Sequence, residues 1–149
     1  MLTTGVKKYI LATIAGGLSA SGGFLNTGTQ LALSTTEPTV DGGNFTEPPA
    51  AAGYARISVV SGATGPTYPF EWVTGTNYSQ VQNKFEVHFN VATASWGTIG
   101  WVGIFDSSNH LLAYGHLVDN QGEETTITIT EGHIPTILQG QAKISIDVQ

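Results

Sequence analysis

Residues 96–117, W-G-T-I-G-W-V-G-I-F-D-S-S-N-H-L-L-A-Y-G-H-L, form the most apolar and aromatic segment of the chain. In residues 98–105, β-branched and aromatic side chains alternate in a way that is typical of a strand with both faces at least half buried. Residues 106–109 are short polar residues that favour turns because their side chains bond to the nearby backbone. A second apolar run, residues 111–117, follows the turn. The segment therefore predicts a β-hairpin at the centre of a sandwich.

Four glycines interrupt the two arms of this hairpin: Gly97, Gly100, Gly103 and Gly115. Glycine weakens a strand, so this density indicates bulges, or places where a large ring or another backbone comes close. The alternative is a phosphate-binding loop in residues 97–103. Such loops join a strand to a helix, and no helix pattern follows here. We therefore interpret the segment as a scaffold and not as a catalytic loop.

Alternating patterns predict six further strands, at residues 29–34, 54–60, 70–73, 84–90, 124–130 and 142–148. In residues 84–90 we expect Phe85, Val87 and Phe89 to point inward. About eight strands with turn signals between them are typical of an all-β protein, and we predict a jelly-roll-like antiparallel β-sandwich. An immunoglobulin-like sandwich is the nearest alternative. Residues 35–53 form a long loop of the kind that is often functional or interfacial.

We assign residues 21–149 to the sandwich as a single domain and residues 1–20 to an N-terminal helix and connector. In residues 1–20, apolar side chains recur at steps of four and lie on one face of the predicted amphipathic helix: Leu2, Val6, Ile10 and Ile14. A secretory signal ending at residues 18–20 is the alternative. No run reaches the roughly 18 apolar residues of a membrane span. We expect the helix to dock on its own sandwich or on a neighbouring chain.

Composition excludes several classes of function. The chain has 149 residues, only 11% of them charged, and its formal net charge of −6 includes just five basic residues. Nucleic-acid binding requires more Lys and Arg to neutralise phosphates, so a nucleic-acid partner is not expected. The absence of cysteine excludes disulfides, thiol catalysis and cysteine-ligated zinc.

No catalytic or metal motif is present, and we predict neither an enzyme nor a cofactor. The four histidines have no H-E-x-x-H or comparable spacing. His116 with Asp119, or His133 with Glu131, would need a further ligand from elsewhere to hold a metal. Chance pairs of this kind are common.

Aromatic side chains near predicted loops suggest a glycan site, because Trp and Tyr stack on the apolar faces of sugars while amides and hydroxyls bind the rim. The candidate contacts are Tyr68, Trp72, Asn77 and Tyr78. We expect Trp96 and Trp101 to belong to the core. Packing between sheets is the competing interpretation for the candidates too, because large aromatic residues are usually buried.

Four blocks resemble a family of small bacteriophage virion proteins commonly labelled tail fibre or minor tail proteins. The first is the predicted N-terminal helix, the second is L-A-L-S-T-T-E-P-T at 31–39 and the third is G-Y-A-R at 53–56. The fourth runs from W-G-T-I at 96–99 through G-I-F-D at 103–106 to L-L-A-Y-G at 111–115. The resemblance implies a β-sandwich present in many copies of a phage particle, without catalytic residues. Residues 65–82 and 131–141 depart from the family pattern.

Two functions are therefore expected. The first is a structural subunit of the virion, in the tail, a tail fibre or the capsid decoration, assembled in the cytoplasm of the host bacterium. It would act by self-association through the helix stripe and by contacts with other virion proteins. The alternative is a carbohydrate-binding module that recognises a receptor on the host surface.

Overall fold

The computed structural model describes residues 30–58, 70–73, 80–83, 85–106 and 108–145. These residues form eleven short strands and one 3-10 turn, Ala50–Ala52. The strands are β1 (Gln30–Ser34), β2 (Ile57–Ser58), β3 (Phe70–Trp72), β4 (Gln80–Asn83), β5 (Val87–His88), β6 (Gly97–Ile99), β7 (Trp101–Phe105), β8 (Leu111–His116), β9 (Ile127–Ile129), β10 (Thr136–Ile137) and β11 (Lys143–Ser145). The predicted N-terminal helix lies outside the described residues.

The central sheet contains the predicted hairpin. Its strand order is β2-β1-β7-β8 and every pairing is antiparallel. Strands β7 and β8 are joined by the predicted turn, and the register shifts between Ile104 and Phe105. In the turn, one carboxylate oxygen of Asp106 accepts the backbone N–H groups of Ser108 and His110 at 2.9 and 2.8 Å. These bonds, led by the one from His110, hold the pKa of Asp106 below its usual value.

The three smaller sheets are β10-β5, β11-β4-β3 and β6-β9, and they are antiparallel too. The all-β antiparallel class is thus confirmed, while the jelly-roll topology stays a prediction. The predicted first hairpin arm, residues 98–105, is wrong in one respect. The chain changes sheet at Gly100, so β6 pairs with β9 and only β7 pairs with β1 and β8.

The prediction for residues 84–90 is also partly wrong. Among residues 85–90, which the structure describes, only Val87 and His88 form a strand, and the sequence does not predict the preceding strand β4. Val87 and Phe89 are buried as expected, but Phe85 is 53% exposed. The segment Q-V-Q-N of β4 contains a single apolar residue, so no apolar alternation marks it as a strand.

The core lies on one face of the central sheet. Leu31 faces Ile104 across the β1–β7 ladder, Leu33 faces Val102, and all four are almost fully buried. Residues from the smaller sheets cover them, and the largest completely buried side chains are Leu31, Leu33, Ile99, Ile104, Leu117, Ile129 and Ile137. The pairing of apolar faces from different sheets is the packing of a β-sandwich.

The long loop that follows β1 covers the opposite face of the central sheet. The Phe45 ring meets the Phe105 ring edge to face, with 5.0 Å between centroids. It lies directly over Gly103, where an added Cβ would stand 2.5 Å from Phe45 Cε2 and 2.7 Å from Leu111 Cδ1. Close approach of a ring thus explains this glycine, as the glycine density in the sequence indicated.

Replacing Gly103 with alanine is expected to destabilise the fold by about 1–3 kcal/mol, because the new methyl group displaces the Phe45 ring from the sheet. Urea unfolding measures the loss. Gly100→Ala is the matched control, since a Cβ there meets nothing nearer than 3.4 Å. In Phe45→Ala/Gly103→Ala the two losses should be less than additive, although the overlap with Leu111 Cδ1 remains. Full additivity would contradict this account.

Candidate functional site

An open cleft of about 440 Å³ lies at the β8 edge of the central sheet. We call it the aromatic cleft and define it by six of its lining residues: Gln80, Trp101, Tyr114, His116, Glu124 and Lys143. These residues come from β4, β7, β8, β11 and the turn before β9. The cleft is therefore assembled from segments that are distant in sequence.

Hairpin register places the aromatic side chains together. Trp101 pairs with His116, and Gly103 pairs with Tyr114. Because side chains alternate along a strand, Trp101, Tyr114 and His116 share one face. The Trp101 ring centroid lies 4.5 Å from that of His116 and 6.3 Å from that of Tyr114. Trp101 is partly exposed, so the expectation that it belongs to the core is wrong.

The polar rim is held by backbone bonds. Asp119 Oδ1 accepts the N–H groups of Gln121 and Glu123 at 2.8 and 3.0 Å. This closes the turn that precedes Glu124, whose backbone bridges Val118. The Glu124 side chain is 76% exposed, and its carboxylate lies 3.9 Å from His116 Nε2. A well-ordered turn thus presents a carboxylate at the mouth of the cleft.

His116 has a defined orientation. Its Nδ1 lies 2.9 Å from the backbone oxygen of Leu117. Since a carbonyl oxygen only accepts, Nδ1 carries the proton in this bond, and Nε2 of the neutral ring is an acceptor facing Glu124 and the cleft. The imidazole therefore offers the cleft one acceptor.

Three other polar groups of the cleft have unused bonding capacity. Within the described ranges, the Trp101 indole N–H and the Tyr114 hydroxyl form no hydrogen bond, and Lys143 forms no ion pair. The Lys143 ammonium lies beside the turn, 3.8 Å from where a Cβ of Gly122 would stand. The cleft therefore combines aromatic faces with donors and acceptors that no described group satisfies.

A second cluster of polar side chains has a structural role. We call it the Glu47 network, and it consists of Glu47, Tyr54 and Arg56. Arg56 donates to both carboxylate oxygens of Glu47, at 2.9 Å from Nε and 2.7 Å from Nη2. The Tyr54 hydroxyl donates to Glu47 Oε1 at 2.8 Å and accepts the Leu33 N–H at 3.0 Å. The Arg56 guanidinium stacks 3.7 Å above the Phe105 ring. The network fastens the long loop to the central sheet.

The contacts within this network shift the pKa values of its three side chains. Burial alone would raise the pKa of Glu47, but the hydrogen bonds from Arg56 and Tyr54 and the Arg56 charge together hold it below its usual value. Burial raises the pKa of the Tyr54 hydroxyl, which therefore stays protonated as a donor. The pKa of Arg56 is raised further by its bond to Glu47. These shifts favour the charged Glu47–Arg56 ion pair, and with it the attachment of the loop to the sheet.

The sites predicted from sequence are not tested by these contacts. The helix stripe Leu2, Val6, Ile10 and Ile14, and the glycan candidates Tyr68, Asn77 and Tyr78, lie outside the described residues. Trp72 contributes its backbone to β3, where it pairs with Val81. Sequence reasoning missed the aromatic cleft, although Tyr114 and His116 at alternate positions of the predicted second arm were the available signal.

We also searched the described residues for metal sites, histidine–carboxylate pairs and membrane-spanning helices. No three His, Cys, Asp or Glu side chains there stand close enough to hold a metal ion. His88 lies 3.6 Å from Glu86, and His110 lies 3.0 Å from Asp106, but these exposed pairs serve a strand end and a turn. None of the described helices has the length and apolar character needed to cross a membrane.

Comparison with known proteins agrees with the resemblance seen in the sequence blocks. None of the curated proteins and none of the solved structures matches the chain. The model of one family, described as Podophage GP4 fiber I protein gp80, matches residues 19–145. That match spans the hairpin, the long loop and the aromatic cleft. The chain therefore belongs to the podophage GP4 fiber I protein gp80 family, a family of phage fibre structural proteins.

Proposed function

We propose that this phage fibre structural protein works by self-association and by contacts with neighbouring virion proteins. The observation behind the proposal is the family match over residues 19–145. A structural subunit needs shape and contact surfaces but no reacting groups. The Glu47 network, which only braces a loop, fits that role.

Exposed apolar side chains support contacts with neighbours. Five large apolar side chains are exposed among the described residues. One is Val40 in the long loop, and the other four are Val91 at 48%, Phe85 at 53%, Ile134 at 59% and Leu138 at 40%. The last four lie beside the paired strands β5 and β10. Phe85 and Val91 flank β5 in the chain, and Ile134 and Leu138 flank β10. Apolar side chains concentrated beside one ribbon are typical of a protein contact surface. We therefore infer that this region meets another virion protein.

The helix stripe Leu2, Val6, Ile10 and Ile14 is our proposed route of self-association. An apolar stripe on an amphipathic helix needs a partner surface, and a symmetric oligomer supplies one. The particle location in this proposal is a tail fibre, with assembly in the host cytoplasm. A place elsewhere on the tail or in the capsid decoration is the alternative.

Light scattering of the full chain is expected to give an oligomer, a trimer or another closed ring. Val6→Asp/Ile10→Asp should reduce it to monomers, because each substitution places a charge in an apolar contact. Thr4→Asp, which lies off the stripe, is the matched control and should leave the mass unchanged.

Electron micrographs of particles labelled with an antibody to the chain give its location. A stable wild-type monomer that does not co-purify with particles would refute the proposal.

Recognition of a host-surface carbohydrate is the second candidate function. It is supported by the aromatic cleft, while Tyr68, Trp72, Asn77 and Tyr78 stay candidate contacts from the sequence. Partly exposed aromatic rings beside unsatisfied donors and acceptors suit a sugar, whose ring has apolar faces and a hydroxyl rim. This function is compatible with the first, because a fibre subunit can also contact the cell.

A further inference from the structure

We propose that the aromatic cleft binds a neutral or N-acetylated hexopyranose unit of a host-surface polysaccharide. The inference rests on the carbohydrate-binding candidate above and gives that function a site and a ligand class. Four properties of the cleft support it: its ring faces, its size, its polar groups and its charge.

The ring faces come first. Trp101 and Tyr114 stand with centroids 6.3 Å apart and planes inclined at 60°, and both are partly exposed. Apolar C–H faces of a pyranose stack on such rings. The His116 ring packs against Trp101, with 4.5 Å between the ring centroids, and restricts the rotamers open to the indole before a ligand arrives. A preformed face costs little entropy on binding.

The cleft also has the size of a small-ligand site. Its volume of about 440 Å³ falls in the range of about 300–1,000 Å³ that ligand pockets occupy. The cleft is open at one side, which leaves room for a polysaccharide chain to continue beyond the bound unit. A short segment of a longer glycan therefore fits better than an enclosed metabolite.

The polar inventory matches a ring of hydroxyl groups. Donors are the Trp101 indole N–H and the Lys143 ammonium, and acceptors are His116 Nε2 and the Glu124 carboxylate. The Tyr114 hydroxyl does both. Each sugar hydroxyl also donates and accepts, so such a mixed set suits it. A purely aromatic or purely charged set would not.

Charge decides between classes of saccharide. Lys143 and Glu124 bring one positive and one negative charge to the cleft, and the whole chain carries −6. A strongly anionic polymer would meet the 76% exposed carboxylate of Glu124 and the net negative charge of the protein. The ligand is therefore a neutral or N-acetylated sugar and not a polyuronate or a nucleic acid.

The test is a titration of the ¹⁵N-labelled full chain that follows its three tryptophan indole signals. The probes are methyl glycosides of glucose, galactose and mannose, chitotriose, and galacturonate oligomers as the anionic class. The Trp101 signal, assigned with Trp101→Phe, is expected to shift saturably with at least one neutral probe. The Trp96 signal should stay in place, since its N–H is buried in a 2.7 Å bond to the Ala52 oxygen.

Variants locate the site. Trp101→Ala is expected to weaken binding about tenfold or more, because it removes a stacking face. Glu124→Gln changes an exposed group without altering the fold, and it should weaken binding about threefold. Phe85→Ala removes an exposed aromatic ring that does not line the cleft, and it should leave binding unchanged. A cooperative thermal unfolding transition well above the temperature of the titration confirms that each variant is folded.

The outcomes separate the two proposals. The inference is overturned if no neutral probe shifts the Trp101 signal, if only galacturonate does, or if Trp101→Ala and Glu124→Gln both bind as the wild type does. In each of these cases a chain that still forms oligomers and enters particles keeps its structural role. A chain that binds a neutral probe at Trp101 but neither associates nor enters particles refutes the structural proposal alone.

Discussion

Trp96→Ala is expected to lower the free energy of unfolding by about 3–5 kcal/mol, the largest effect of any single substitution considered for this protein. Trp96 is 2% exposed. Its ring meets those of Tyr54 and Phe89 edge to face, at 5.2 and 6.3 Å between centroids. Its indole N–H donates to the Ala52 oxygen at 2.7 Å. The alanine leaves a cavity where the 3-10 turn, β5 and β6 meet.

Urea unfolding monitored by circular dichroism measures this loss of stability. Two further variants show which part of the loss comes from the ring of Trp96 and which from its buried position. Trp96→Phe keeps a ring, and the Ala52 oxygen keeps its bond from the Thr93 N–H at 2.9 Å, so we expect a loss nearer 1 kcal/mol. Trp101→Ala removes the same side chain from the partly exposed cleft and should also cost about 1 kcal/mol. Equal losses for Trp96→Ala and Trp101→Ala would contradict the assignment of Trp96 to the core.

The hairpin was predictable because its signal is local. Apolar residues alternate along β7, and the turn residues follow directly, so both faces and the turn could be placed from the sequence. The burial of Val102 and Ile104 on one face and of Gly103 and Phe105 on the other confirms that both faces are covered. Periodicity did not reveal the change of sheet at Gly100, because the apolar alternation continues through it.

Strand β4 was not predictable, because its last residue is stabilised by contacts from far along the chain. Asn83 is fully buried. Its side-chain amide donates to the backbone oxygens of Phe85 and Leu138 at 2.8 and 2.9 Å, and its Oδ1 accepts the Ala142 N–H at 3.0 Å. A buried asparagine is tolerated only when such partners satisfy it, and a sequence pattern does not contain them.

The aromatic cleft was missed for a related reason. A tryptophan in an apolar strand suggests the core, and only the register of the hairpin shows that Trp101 lies beside His116 at the sheet edge. Glu124 and Lys143 reach the cleft from a turn and from β11, and no spacing rule connects them to β7. Tertiary placement, not residue type, decides which aromatic side chains can meet a ligand.

The Glu47 network gives the second large expected effect. Glu47→Gln should destabilise the protein at pH 7 by about 2 kcal/mol, because the bonds from Arg56 and Tyr54 lose their charged acceptor. The Glu47 and Arg56 side chains are only 27% and 17% exposed, so solvent weakens the pair little. Glu37→Gln alters an exposed carboxylate in the same loop and should have almost no effect. Thermal unfolding measures both variants.

The pH dependence of that loss identifies its cause. The pKa of Glu47 is lowered in the folded protein from an ordinary value of 4.5, so its contribution is complete above about pH 4.5 and is lost as the pH falls through the folded value. The unfolding temperatures of wild type and Glu47→Gln should therefore differ at pH 7 and converge in acid. A difference that stays constant from pH 7 to pH 3 would mean that the carboxylate charge is not the stabilising element. The loop would then be held to the sheet by Phe45, by the stacking of Arg56 on Phe105 and by the hydrogen bonds of Thr46 to the end of β1, contacts that do not titrate in this range.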